Sequence, residues 1–128
     1  MELEELIAKA EPTSVSQHGP YGNNFLRPMR FPDVGSIVVG HKHNYDHITI
    51  LIQGAILGRA WNVNEDGKQV MVAEKAFKAP AFMNVRAHRW HEFIALEANS
   101  YAVCVFALRT RDGEVATVDD EWEISCTE

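Results

Sequence analysis

Gly35-Ser36-Ile37-Val38-Val39-Gly40-His41-Lys42-His43-Asn44-Tyr45-Asp46-His47-Ile48-Thr49-Ile50-Leu51-Ile52-Gln53-Gly54 is the stretch that decides the fold. Three of the chain's six histidines fall here within seven residues, all at odd positions. In an extended strand successive side chains alternate faces, so His41 and His43 point the same way, roughly 7 Å apart. Two imidazoles so placed can grip one metal ion. His47 has the same parity and reaches the site either along that strand or, after a short turn beyond Asn44, from the next one. The flanks, residues 36–39 and 48–52, are rich in β-branched residues and read as two strands bounded by Gly35 and Gly54. Strand, turn and strand together make a rigid platform for ligands.

Other metal motifs are excluded. A structural zinc finger needs cysteines in pairs, whereas Cys104 and Cys126 stand apart from each other and from the histidines. A helical His-Glu-x-x-His motif is also absent, because no glutamate lies between His43 and His47.

The spacing Gly35, five residues, His41, one residue, His43, three residues, His47, six residues, Gly54 resembles the first motif of the cupins, with His47 where most members carry glutamate. The second motif is poorer. Counted from His91, its glycine, proline and asparagine positions hold Pro80, His88, Arg86 and Ala95, and only His91 matches. Context supports His91 all the same: residues 82–85 read as a strand, 86–90 as a polar link, and 93–96 as an apolar run. His88 has the opposite parity and sits inside the link, so His91 is the preferred fourth ligand. His18, in a Ser/Gln/Gly/Pro-rich stretch, reads as a surface residue.

The resemblance covers roughly residues 22–109. It implies an all-β fold, the double-stranded β-helix of cupin and RmlC-like jelly-roll barrels. Residues 1–21 are then an N-terminal helix and linker, and 22–128 the barrel domain. The resemblance further implies a homodimer and one divalent transition metal held by His41, His43, His47 and His91. Imidazole suits Fe, Ni, Cu and Zn, and Mn is added on family grounds.

Size and charge agree with this reading. A chain of 128 residues holds one domain with a real core. Its net charge of −6 disfavours nucleic acid and anionic membrane surfaces, leaving small molecules or protein partners as the expected ligands. The acidic start Met1, Glu2, Leu3, Glu4, Glu5 is the wrong charge for a secretory signal, so the expected compartment is cytoplasmic. Cys104, in an apolar run, is expected to pack as a reduced thiol.

Along the rest of the chain, residues 2–10 form a short amphipathic helix stopped by Pro12, and 13–24 a turn-rich linker. Residues 25–31, punctuated by Pro28 and Pro32, suit an edge position. Residues 55–63 and 69–73 make a hairpin around Glu65-Asp66-Gly67-Lys68, with 74–79 leading to Pro80. Residues 81–85 and 101–109 are further strands, and 115–118 and 122–125 add short strands or a tail. Residues 48–52 are apolar on both faces, so one face is expected in the barrel and the other against a second sheet or subunit.

Four neutral imidazoles leave a divalent ion its full +2 charge, which favours anionic ligands more strongly than the usual set with one glutamate. Four protein ligands on an octahedral ion leave two positions for substrate or dioxygen. The expected function is a metal-dependent oxygenase-type enzyme on a small anionic or enolisable substrate; the alternative is a non-catalytic binding or sensing module. Gln53, Trp61, Phe82, Phe93 and Phe106 are the substrate-binding candidates. No acid or base is evident: Glu92 has the opposite parity to His91 and faces away. Tyr45, Asp46 and Tyr101 are leftover polar groups, more in keeping with structural roles.

Overall fold

Alternation along the strands builds this molecule. The computed structural model describes residues 2–15, 18–21, 23–41, 46–107 and 114. One helix, α1 (Leu3–Lys9), precedes ten strands: β1 (Ser14–Val15), β2 (His18–Tyr21), β3 (Asn24–Phe31), β4 (Ile37–His41), β5 (His47–Gln53), β6 (Ala55–Val63), β7 (Gln69–Lys78), β8 (Ala81–Val85), β9 (Trp90–Ala95) and β10 (Ser100–Ala107). They form two antiparallel sheets. One runs β1-β3-β10-β5-β8 with β2 also on β3, and the other β4-β9-β6-β7. This is the all-β architecture expected, with a single short helix among the described residues.

The core lies between the sheets and is written in the registers. Arg27, Cys104, Thr49 and Met83 stand abreast across β3, β10, β5 and β8. The row two residues further along holds Met29, Ala102, Leu51 and Ala81. Facing them on the second sheet are Phe93 and Ala95 of β9 and Ile56 of β6. Met29, Phe31, Leu51, Ile56, Ile94, Ala95 and Ala102 are essentially out of water. Each such aliphatic or aromatic side chain stabilises the fold by about 1.5–3 kcal/mol.

Gly35 and Gly54 close this end. Gly35 (φ 94°) and Gly54 (φ 85°) occupy the left-handed region that side chains rarely tolerate. A Cβ on Gly35 would lie 2.5 Å from the Leu6 carbonyl, so the α1 backbone rests directly on that turn. Around it Ser36 Oγ donates to the Glu11 carbonyl at 2.6 Å and accepts from Asp33 N–H at 3.1 Å.

Four expectations change. The linker at 13–24 contributes strands β1 and β2, both paired to β3. Residues 25–31 therefore do not form an edge: β10 pairs along β3, and β1 and β2 cover parts of its other side. On that side Ser14–Val15 pair with Met29–Arg30 and His18 with Leu26, while β10 sets Val103 opposite Pro28 on the other. Residues 69–78 form one continuous strand, bent by a register shift at Ala60/Trp61, instead of ending at Ala73. Among the described residues no second sheet covers the outer face of β5, where Ile48 and Ile52 are exposed in the single chain, which leaves a subunit as the expected cover. The segments 115–118 and 122–125 lie outside the described residues. No helix of the described residues is long and apolar enough to cross a membrane.

Candidate functional site

His47 opens β5 and His91 is the second residue of β9, so the two sheets bring them to the same end of the barrel. Each is about 4% exposed. Their ring centroids are 5.6 Å apart with an interplanar angle of 66°. His41 ends β4 in register with His91, after a shift that follows Val38. His43 lies outside the described residues. Among the described residues no group of three or more His, Cys, Asp or Glu comes together; the histidine pair is the part of the site on view.

The donor set fits a transition metal. Imidazoles bound to one ion at about 2.1 Å, with angles of about 90–120° between them, put their ring centroids roughly 4.5–5.5 Å apart, close to the spacing found. His91 Nδ1 lies 3.4 Å from the Arg89 carbonyl oxygen. With the proton on Nδ1, that carbonyl orients the ring and Nε2 keeps its lone pair for a ligand role.

Local contacts set up the pair. Asp46 Oδ1, one residue before His47, accepts a hydrogen bond from Ala87 N–H at 2.7 Å and ties the 86–89 link to the start of β5. Within that link His88 has φ 64° and is exposed, while His91 beyond it is buried. Phe106 lies 6.2 Å from the His47 ring and stacks on Phe25 at 5.0 Å. One row deeper, the Thr49 hydroxyl and Cys104 thiol are 3.2 Å apart. Burial pushes the Cys104 pKa up, against the Thr49 hydrogen bond and the nearby Arg27 charge, which makes it a packed thiol and a poor nucleophile.

A cavity of about 160 Å³ opens beside His91. Its walls include Gly58, Ala60, Lys75, Phe77, Met83 and Phe93, with Arg86 and Arg89. Glu92 is not part of it. As parity requires, Glu92 pairs across β6 with Arg59, whose Nη1 is 3.6 Å from its carboxylate while Nε is held by Glu74 at 2.8 Å.

The substrate-binding candidates divide. Phe93 lines the cavity, and Phe106 flanks His47 without lining it. Phe82 is 75% exposed, because β8 turns Met83 and Val85 inward and leaves Phe82 outside. Trp61 stands opposite Trp90 and Met71 and does not line the cavity. Gln53 sits at the other end of β5, where its Nε2 donates to the Asn99 carbonyl at 2.8 Å. Tyr101 is its neighbour on β10, and Tyr45 lies outside the described residues. The sequence reading missed Lys75, Arg86 and Arg89. For Lys75 a signal was present: it shares parity with Phe77, whose ring packs on the core.

No protein-family model matches the chain, and no curated protein matches it in sequence. Solved structures do match in fold. KdgF from Halomonas sp. superposes with a TM-score of 0.57 over 78% of this chain and 82% of its own, at 18% identity. An RmlC-like cupin from Methanocaldococcus jannaschii gives 0.59 over 78% and 84%, at 13% identity. Hydroquinone 1,2-dioxygenase PnpCD, solved with Cd²⁺ and 4-hydroxybenzonitrile, gives 0.60 over 86% and 72%, at 10% identity. The fold is the cupin double-stranded β-helix, the class that the motif around His41 implied.

Proposed function

We propose that this chain is a metal-dependent cupin enzyme of oxygenase type acting on a small anionic or enolisable substrate. The observation that carries the reading is the buried His47–His91 pair, 5.6 Å apart on facing sheets and next to a cavity open to solvent. Two imidazoles held side by side out of water are suited to one shared task. A divalent Fe, Mn, Ni, Cu or Zn ion gives them one, with His41 and His43 completing the set. When bound, such an ion supplies Lewis acidity, a net positive charge and open coordination positions. The protein's own share is to orient the His91 ring through the Arg89 carbonyl, to hold the 86–89 link against β5 through Asp46, and to offer a pocket with both apolar and cationic walls. The neighbouring fold of PnpCD, which holds Cd²⁺ and a small aromatic ligand, supports that combination.

The assembly we favour is a homodimer. Ile48, Ile52 and Phe82, exposed on the outside of the six-stranded sheet, are an apolar face that a second copy would cover. The non-catalytic alternative predicts metal and ligand binding without turnover. Elemental analysis of protein purified without added metal, followed by oxygen uptake with small carboxylates and diketones, tests both. About one metal ion per chain with substrate-dependent oxygen consumption is the expected result. Metal-free protein that does not take up Fe, Mn, Ni, Cu or Zn would overturn the reading, and metal without turnover would favour the binding module.

A further inference from the structure

We infer that the cavity beside His91 receives a small carboxylate with a flat apolar body, its charge held by Lys75, Arg86 and Arg89 and its body packed against Phe77 and Phe93. The inference rests on the reading of the histidine end as the ligand site, and names the class of ligand and the residues that select it.

The charge distribution is the first argument. The chain carries 18 acidic residues against 12 basic ones, yet no Asp or Glu lines this cavity among the described residues, while Lys75, Arg86 and Arg89 all do. Arg59, the other cation there, is already neutralised by Glu74 and Glu92. Among the described residues, no carboxylate pairs with Lys75, Arg86 or Arg89. Unpaired cations gathered on one concave surface attract an anion more strongly than scattered ones.

The position of Lys75 is the second. It stands opposite Gly58, and Gly58 opposite Phe93, so the three share the inner side of the β7-β6-β9 ladder. Its Nζ lies 5.3 Å from the centre of the Phe77 ring, which fixes the ammonium over the apolar wall. Arginine from the 86–89 link adds planar, forked donors suited to carboxylate oxygens.

Space is the third argument. A Cβ on Gly58 would meet the Phe77 and Phe93 rings at 3.4 and 3.7 Å, ordinary contact distances, so the glycine leaves room the backbone does not need. The cavity volume of about 160 Å³ is close to the ~150 Å³ of an engineered apolar cavity that takes up one benzene. Phe77, Met83, Val85 and Phe93 offer a sugar few hydrogen-bond partners, whereas a flat ring or unsaturated chain is well matched.

Benzoate and its neutral isostere benzamide are the probes, titrated calorimetrically at fixed ionic strength into metal-loaded and chelator-treated protein. Benzoate should bind about tenfold or more tightly than benzamide in both forms. Lys75→Gln and Arg86→Gln should each weaken benzoate about threefold or more and leave benzamide unchanged. Gly58→Leu should block both ligands. Failure of benzoate to bind, equal binding of the two probes, or a preference that survives the Lys75→Gln/Arg86→Gln double variant would overturn the inference. A preference seen only with metal would do the same, since the ion alone would then supply the charge, while leaving the metal reading intact. A preference that persists in wild-type protein unable to bind metal would sustain the carboxylate site and sink the metal reading.

Discussion

The two ends of the barrel are built from the same strands and differ in almost everything else. β5 carries Leu51 at one end and His47 at the other; β9 carries Ala95 and His91. At the Leu51–Ala95 end the interior is filled by Phe31, Met29, Ile56 and Ala102, and two glycines seal it where no side chain fits. At the histidine end Phe77 and Phe93 leave a cavity, and charged groups gather at its edge. The closed end supplies stability from buried apolar surface, and so the other end can hold polar groups that give little stability back. Substitutions should separate the two.

The largest effect is expected at Gly54. A Cβ there would overlap the Ser100 side chain and come within 2.8 Å of its Cα, on a backbone already at φ 85°. Gly54→Ala should cost about 3 kcal/mol or more, read from urea unfolding. Gly67 makes the control: its φ is 78° but a Cβ would meet nothing within 4 Å, so Gly67→Ala should cost only about 1 kcal/mol. Equal losses at both sites would mean that the closed end is not tightly packed.

Next come matched truncations at the two ends. Ile56→Ala removes a fully buried side chain and should cost about 2–5 kcal/mol without altering metal content. His91→Ala, measured on chelator-treated protein, should cost clearly less while abolishing metal uptake. If the histidine truncation proves the more destabilising of the two without metal, the pair belongs to the structural core and the division between the ends fails.

Much of this contrast was legible in the sequence, and the illegible part has a physical pattern. The spacing from Gly35 to Gly54 located both the sealing glycines and the start of β5, because positive φ and strand parity leave marks on residue type. Parity also separated His91 from Glu92. In β8 the same parity turns Met83 and Val85 inward and Phe82 out, which an aromatic residue type alone does not show. Gln53 sits far along β5 from His47, and only the register with β10 shows which end it serves. Residues 25–31 looked like an edge because prolines usually mark one; that β1 and β2 join β3 on the side away from β10 follows from tertiary pairing. Lys75, Arg86 and Arg89 belong to different elements, β7 and the 86–89 link, and nothing local announces that these meet.

A smaller effect is expected from charge at the open end. His47→Glu, which restores the residue most cupins carry at this motif position, should keep the metal while lowering the charge of the site from +2 to +1. Azide affinity of the two proteins loaded with the same metal, at one ionic strength, should fall in the variant by about tenfold, because the buried position screens the change poorly. Equal or tighter azide binding would show that the charge at position 47 does not govern ligand choice.

The smallest effect lies on the outer face of β9, next to His91 in sequence but on the other side of the strand. Burial raises the Glu92 pKa above its ordinary 4.5, and attraction and hydrogen bonding from Arg59 offset this only in part. Ionising Glu92 therefore costs the folded protein more than the unfolded chain. Its stabilising contribution is fully present below the unfolded value and is lost as pH rises through the higher folded one. Glu92→Gln removes the titration and leaves Arg59 held by Glu74 at 2.8 Å. Urea unfolding from about pH 4 to 7 should thus show the variant gaining on wild type as pH rises, with metal content unchanged throughout. Should wild type gain on the variant over that range, the Arg59 pair outweighs desolvation. Should metal content fall with Glu92→Gln, the two faces of β9 are not independent, and the separation between a structural outside and a binding interior at this end of the barrel would have to be redrawn.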